Sequence, residues 1–516
     1  MQKAMKWDKN KWLVGIWMAI LLAGLVLRYA ANNYSLAHPM AQIILSRIFL
    51  IVFIGWALIQ YLWGAGLFTR KESPYTLAVL RMAVFALPAW FALQPYHQLS
   101  DTLLRQWIDL PLSDRVALPF MEYYSLHVPV SRAIITYIQP VFLIVSITTF
   151  LGFFTRASAI IYTLLAFYLY SICQLYGKPV NNHYLFWFPL VLACSNCGQV
   201  LSVDALISRI FKGKWPNDEA DINYTPAVNA SLLLLGIIYF FPGFWKVWTC
   251  GLDWALRYNL RNILYTKWLE LNGWLPAFRI DESDFLIAAV SLLTIVFELI
   301  FVFWALRRKH NWLLLAGGVL FHCGILYFTQ INFTFLLPLY VCLFNWEWLA
   351  KWFKNKEPAP AAAEYSKRVL TRVSSLVLII LVGGNVLVGI TKVVSWPLAC
   401  FPAFDYMVPD KAAVIYLEGF KAGISVNRNA EIGKVLNNQF SSYNVAAREN
   451  RIIQLYSQSD TAGALGAAKA LLLPIADSLA ADSIAVYKVY RELRPEADLS
   501  KSKKEWLFFI KTDGGN

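Results

Sequence analysis

The chain has 516 residues, 58% hydrophobic and only 15% charged, with mean hydropathy +0.49 and a net charge of +14. Soluble domains carry roughly 25% charged residues, so the composition excludes an ordinary soluble domain and reads as a polytopic membrane protein. The basic residues lie between apolar runs rather than on one soluble face, which argues against a nucleic-acid partner, and seven scattered cysteines exclude a disulfide scaffold.

The N-terminal run MQKAMKWDKNKWLVGIWMAILLAGLVLRYA starts basic, like a signal peptide. Its apolar stretch exceeds the roughly 7–15 residues of such a segment and no small-x-small cleavage site follows, so it is read as a first span. About eleven spans of roughly 20 residues are predicted. They lie near 12–31, 43–63, 76–95, 132–153, 157–176, 183–200, 228–245, 285–306, 312–329, 331–348 and 370–392, and the short pair around Asn332 reads equally as one tight hairpin.

Loop charge orients them. Lys3, Lys6, Lys9 and Lys11 precede the first span, Arg70 and Lys71 follow the second, and Arg156 follows the fourth. Arg209, Lys212 and Lys214 follow the sixth, Arg307, Arg308 and Lys309 the eighth, and a basic cluster from Lys351 to Arg372 precedes the last. All fall on one side when the N-terminus is cytoplasmic, which puts the C-terminus outside. The expected location is a bacterial inner membrane, with membrane lipids as partners and an extracytoplasmic protein or peptide as a candidate substrate.

KNKEPAPAAAEYSKR (354–368) is a polar Pro/Ala-rich linker. From Trp396 the composition turns polar; AAVIYLEGF, IAVYKVYREL and KEWLFFIK read as strands, and TAGALGAAKALLLPIADSLA as a helix up to Pro474. The predicted fold is an all-α polytopic membrane bundle with a small C-terminal extracytoplasmic α+β domain. Its parts are two N-terminal spans (1–70), a core (71–350), a linker with the last span (351–395) and the external domain (396–516). The external loops Gln94–Ser131 and Trp248–Phe285 carry aromatic and basic segments that either anchor in the interface plane or form a lid.

A charge inside a span costs at least about 2.5 kcal/mol and marks a functional candidate. Arg81, Glu298 and His322 lie in predicted spans, each with a plainer reading. Arg81 is near enough to the cytoplasmic end to snorkel, Glu298 can pair with Arg81 or His322, and His322 can be a satisfied bundle histidine. His183 starts a helix that Asn181 or Asn182 can cap. In LLLLGIIYFFPGFWKVW (232–248), Pro242 and Gly243 are expected to end the helix, so that Lys246 turns inward among Phe244, Trp245 and Trp248. The alternative is a lysine that snorkels to water. An amine held in apolar surroundings is a general-base candidate. Ser202 or Asp204 in LSVDAL is expected to cap a helix. Cys194 and Cys197 have CxxC spacing without a redox context. Cys250 and Cys400 both follow external span ends and are candidates for a disulfide. No Walker loop, GxSxG, HExxH or dinucleotide fingerprint occurs, and no metal site is expected.

In order along 77–346, TLAVLRMAVFAL, LGFFTRAS, NNHYLFWFPLVLACSNCGQVLSVDAL, YFFPGFWKVWTCGLDW, VFELIF and LFHCGI together resemble the horizontally transferred transmembrane (HTTM) domain, related to the vitamin K-dependent gamma-glutamyl carboxylase. The resemblance covers roughly half the chain. It implies a quinone/hydroquinone cofactor, Lys246 as the base that deprotonates the hydroquinone, and His183 as the handler of a substrate carbanion. Asn182, Trp245, Arg81, Glu298 and His322 become candidate cofactor contacts. The chain departs from the carboxylase in its two extra N-terminal spans, its smaller external region, a single lysine where the carboxylase has two, and Glu298 in place of an aspartate. The rival reading is a non-catalytic protein on the same scaffold: a transporter, an assembly factor or an immunity-type protein. Substrate and oligomeric state are open at this level.

Overall fold

A computed structural model of the chain describes residues 45–56, 70–93, 123–124, 127–128, 131–172, 174, 183–213, 215–271, 273–353, 364–393, 395–400, 404–427, 429–439, 442–479, 481–496 and 503–511. Before residue 400 its described α-helices of ten residues or more are α1 (Leu45–Trp56), α2 (Pro74–Leu93), α3 (Arg132–Leu151), α4 (Thr155–Ile172), α5 (Tyr184–Ala193), α6 (Val203–Lys212), α7 (Thr225–Cys250), α8 (Asn259–Glu270), α9 (Asp284–Arg307), α10 (Asn311–Thr329) and α11 (Glu364–Thr391). The C-terminal part carries β1 (Lys411–Lys421), β2 (Ile424–Asn427), α12 (Asn429–Gln439), α13 (Ser442–Ser457), α14 (Thr461–Leu472), β3 (Ser483–Glu492) and β4 (Lys503–Lys511).

Among the described residues six helices are long and apolar enough to cross a membrane: Ala133–Leu151, Thr155–Ile172, Ile222–Cys250, Asp284–Arg307, Asn311–Thr329 and Val373–Thr391. The predicted first span lies outside the described residues. Two other predicted spans are shorter than expected. The region 183–200 forms only the 10-residue α5, because the chain turns at Cys194–Gly198. The region 331–348 holds a 10-residue 3₁₀ helix, Thr334–Leu343, with Pro338 inside it.

The chain divides into two compact units. The first comprises 1–252, 292–326 and 331–406. Its core joins Leu77, Phe85, Tyr162, Trp187, Leu235 and Phe301 in one apolar cluster. Glycines set how closely α7 meets its neighbours. A Cβ at Gly236 would lie 2.4 Å from Val302, and one at Gly243 would lie 2.7 Å from the Cβ of Glu298. Small residues at helix crossings in apolar surroundings let backbones approach.

The second unit comprises 253–291, 327–330 and 407–516. Here the antiparallel sheet has order β2-β1-β3-β4, and three of its strands fall where the alternation places them. Ile415, Leu417, Ile484, Val486, Leu507 and Ile510 point into a core shared with Ile432, Leu436, Ile452 and Leu472 of the helices. A satellite core unites Leu264, Trp268, Ile280 and Ile287 with Leu493.

Candidate functional site

The first unit holds a buried charged pair, Lys246 with Glu298. Lys246 Nζ donates to Glu298 Oε1 at 2.6 Å and to Oε2 at 2.8 Å, and the two residues are 3% and 4% exposed. The lysine therefore does not snorkel, and the glutamate's partner is Lys246 rather than Arg81 or His322. The expected helix break is absent: α7 runs through Pro242 and Gly243 to Cys250. Pro242 removes one backbone donor, but the helix is held on both sides. Phe241 packs against Gly389, and Gly243 gives the Glu298 side chain room to reach the amine. Of the expected aromatic partners, Phe244 and Trp248 stack on each other at 5.4 Å. Trp245 donates its indole N–H to the Gly389 carbonyl, and its ring takes the Lys392 ammonium at 5.1 Å.

His322 is 2% exposed and ends a short chain of hydrogen bonds. Tyr340 donates its hydroxyl to that of Tyr239 at 2.7 Å, and the Tyr239 hydroxyl lies 2.5 Å from His322 Nε2. Neither tyrosine was singled out from the sequence. The available signal was spacing: Tyr239 stands seven residues before Lys246, two turns along the same face of α7. Phe297 and Phe301 of α9 pack on the Tyr239 ring at 5.5 and 4.4 Å.

His183, in the first unit, contacts the segment that follows α11. Its Nε2 is 2.8 Å from the Ser395 carbonyl, and its ring is 5.0 Å from that of Trp396. Trp187, one turn on, donates to the Pro397 carbonyl. The segment after the last long helix thus folds back onto α5, burying Trp396, Ala399 and Cys400. Lys392 and Asp405 form an ion pair across this segment. Asn181 and Asn182 lie outside the described residues, and the residue at the start of α5 is His183 itself, with no side-chain cap. Cys250 and Cys400 form no disulfide with each other; Cys250 Sγ donates to the Asp405 carbonyl.

Arg81 is fully buried and does not snorkel. It donates to the carbonyls of Cys197 and Leu201 at 2.8 and 2.5 Å. It thereby braces the turn after α5. Gly152, with φ of 72°, ends α3 beside it, where a Cβ would lie 2.6 Å from Arg81 Nη1. Ser202 caps α6 as expected. Asp204 instead accepts from the backbone N–H groups of Phe154 and Thr155, capping α4. Nearby, Arg308 pairs with buried Glu72 at 2.7 Å. Burial pushes the Glu72 carboxyl up and the guanidinium opposes that shift.

The described residues contain no group of three or more His, Cys, Asp or Glu that could hold a metal ion. Comparison with protein-family models, with curated proteins and with solved structures found no match.

Proposed function

We propose that this chain is a multi-pass membrane enzyme of the HTTM type, resembling the vitamin K-dependent carboxylase, in which Lys246 handles a proton for a quinol-type lipid cofactor. The observation that carries the reading is the Lys246–Glu298 pair, buried and doubly bonded between α7 and α9. Placing two ionised groups there costs several kcal/mol of desolvation per ion before their attraction repays it. Glu298 gives the amine a second proton holder within hydrogen-bond reach, which is what a general base needs to reset. The donor set suits a quinol: an amine–carboxylate pair beside aromatic rings, and His322 Nδ1, which is buried without a partner among the described residues. When bound, the cofactor would supply reducing equivalents; the chain would hold its oxygens at Lys246 and His322. Arg81 serves as a brace for the turn after α5, and the part of His183 in this reading is to contact the substrate once Ser395 yields. Asn182 and Trp245 are kept as cofactor contacts in the same sense. The location proposed is a bacterial inner membrane, N-terminus inside and C-terminal part outside, with lipids and an external protein or peptide as partners.

The experiment is extraction of the purified protein and Lys246→Arg for bound quinone, with turnover of added quinol under oxygen. Arginine keeps the positive charge but does not give up its proton. Retained folding with turnover lost is the expected result; full turnover in Lys246→Arg sinks the base assignment. Orientation is read by membrane-impermeant thiol labelling of Gln458→Cys in a background with the native cysteines replaced. Labelling from the cytoplasmic side alone would reverse the topology.

The satisfied geometry of the pair also favours a second reading. A lysine held by both oxygens of one carboxylate is a sound structural joint between two helices, and a non-catalytic protein on this scaffold needs no more.

A further inference from the structure

The hydrogen-bond chain Tyr340–Tyr239–His322 has a property that a structural joint does not need: it reads equally well in both directions. In one state Tyr340 donates to Tyr239, Tyr239 donates to Nε2 of His322, and the ring proton sits on Nδ1. In the other, Nε2–H donates to Tyr239 and Tyr239 donates to Tyr340. Each hydroxyl has one proton to give and can accept, and a neutral imidazole gives at one nitrogen and accepts at the other. The three side chains are 1%, 3% and 2% exposed, so no bulk water competes. Nδ1, the far terminus, is without a hydrogen-bond partner among the described residues.

Two further features hold the chain in place. A Cβ at Gly318 of α10 would lie 2.3 Å from the Tyr340 hydroxyl oxygen, so glycine there gives that hydroxyl its room. The Tyr239 ring packs on Phe297 and Phe301, which also touch each other, and on Phe321 of α10. Glu298, the partner of Lys246, stands beside Phe297 on α9. Lys246 is two turns along α7 from Tyr239, about 10 Å of axial rise, on the same face of the helix.

We propose that Tyr340, Tyr239 and His322 form a proton-transfer chain within the apolar helices, passing one proton between Tyr340 and Nδ1 of His322. A proton delivered to the Tyr340 oxygen by a substrate acid moves the Tyr340 proton to Tyr239, the Tyr239 proton to Nε2, and the Nδ1 proton to an oxygen base seated at His322. All three groups are neutral before and after, with the chain reversed, and no electron moves. A proton passed the other way resets it: an acid at His322 protonates Nδ1, the Nε2 proton returns to Tyr239, the Tyr239 proton to Tyr340, and the Tyr340 oxygen releases one proton. The use of such a chain, supplying or draining the proton handled at Lys246, rests on the function proposed above. The chain itself does not.

The test is ¹⁵N NMR of the full-length protein in nanodiscs, labelled at histidine, with His322→Gln identifying the His322 signals. The expected spectrum shows a neutral ring exchanging between its Nδ1–H and Nε2–H tautomers. Tyr239→Phe keeps the ring packing and removes the hydroxyl, and it is expected to stop the exchange. Tyr340→Phe and Gly318→Ala should each slow it at least tenfold, the first by removing the terminal hydroxyl and the second by displacing it. A single fixed tautomer in the wild type, or exchange unaffected by Tyr239→Phe, overturns the proposal. Because the readout is the ring itself, these outcomes are separate from the fate of Lys246→Arg: a working chain with a dispensable Lys246 would refute the base and leave the relay, and the converse result would do the opposite.

Discussion

Single residues decide whether the buried charges of this protein are a joint or a working pair. Removing one partner leaves the other ionised and uncompensated among apolar side chains, which costs about 3–5 kcal/mol. Lys246→Met is therefore expected to lower thermal stability sharply, and Glu298→Gln by a smaller amount, because the amide still accepts one hydrogen bond. The double change Lys246→Met with Glu298→Leu removes both charges together and should recover most of the loss. A double-mutant cycle by thermal unfolding in detergent gives the coupling. Coupling below about 1 kcal/mol would mean that the two groups are not desolvated as a pair. Stability recovered without turnover is the outcome that separates chemistry from scaffolding.

At the scale of elements, hydropathy made the long helices legible, and contacts made the rest. The runs 132–153, 285–306 and 312–329 match α3, α9 and α10 closely, since length and composition alone determine them. The region 331–348 has the composition of a span, yet it coils as a 3₁₀ helix with Asn311 Nδ2 donating to the Leu343 carbonyl behind it. Local propensity placed a break at Pro242, where packing against α9 and α11 carries the helix on; prolines are tolerated in apolar helices when neighbours hold the backbone. Sequence placed Lys246 and Glu298 in or beside spans but gave no means of pairing residues 52 positions apart. The same limit hid Tyr239, Tyr340 and the return of Ser395 and Trp396 onto α5. Strands β1, β3 and β4 were readable by alternation, whereas short β2 and the helices α12 and α13 were not, because their apolar content is too low to stand out.

Across the whole molecule two kinds of folding physics coexist in one chain. The first unit gains its cohesion from apolar helices packed on glycines and a few buried polar links. The second is a sheet covered by helices. Glu449 lies half-buried on α13, which packs against α14 and β1, and burial pushes its carboxyl from 4.5 up to about 7. The sign follows from proton binding. Between those two values the folded domain holds the proton and the unfolded chain has released it, so the stability slope with pH is negative. The contribution is complete below the unfolded value and is lost as the pH rises through about 7. Hydrogen exchange on β1 and β3 amides in the full-length protein should thus show slower opening at pH 5 than at pH 8 after correction for the intrinsic exchange rate. Glu449→Gln mimics the protonated carboxyl, and it should flatten that dependence and protect the sheet at pH 8. An unchanged pH profile in Glu449→Gln would show that another group governs the domain's titration.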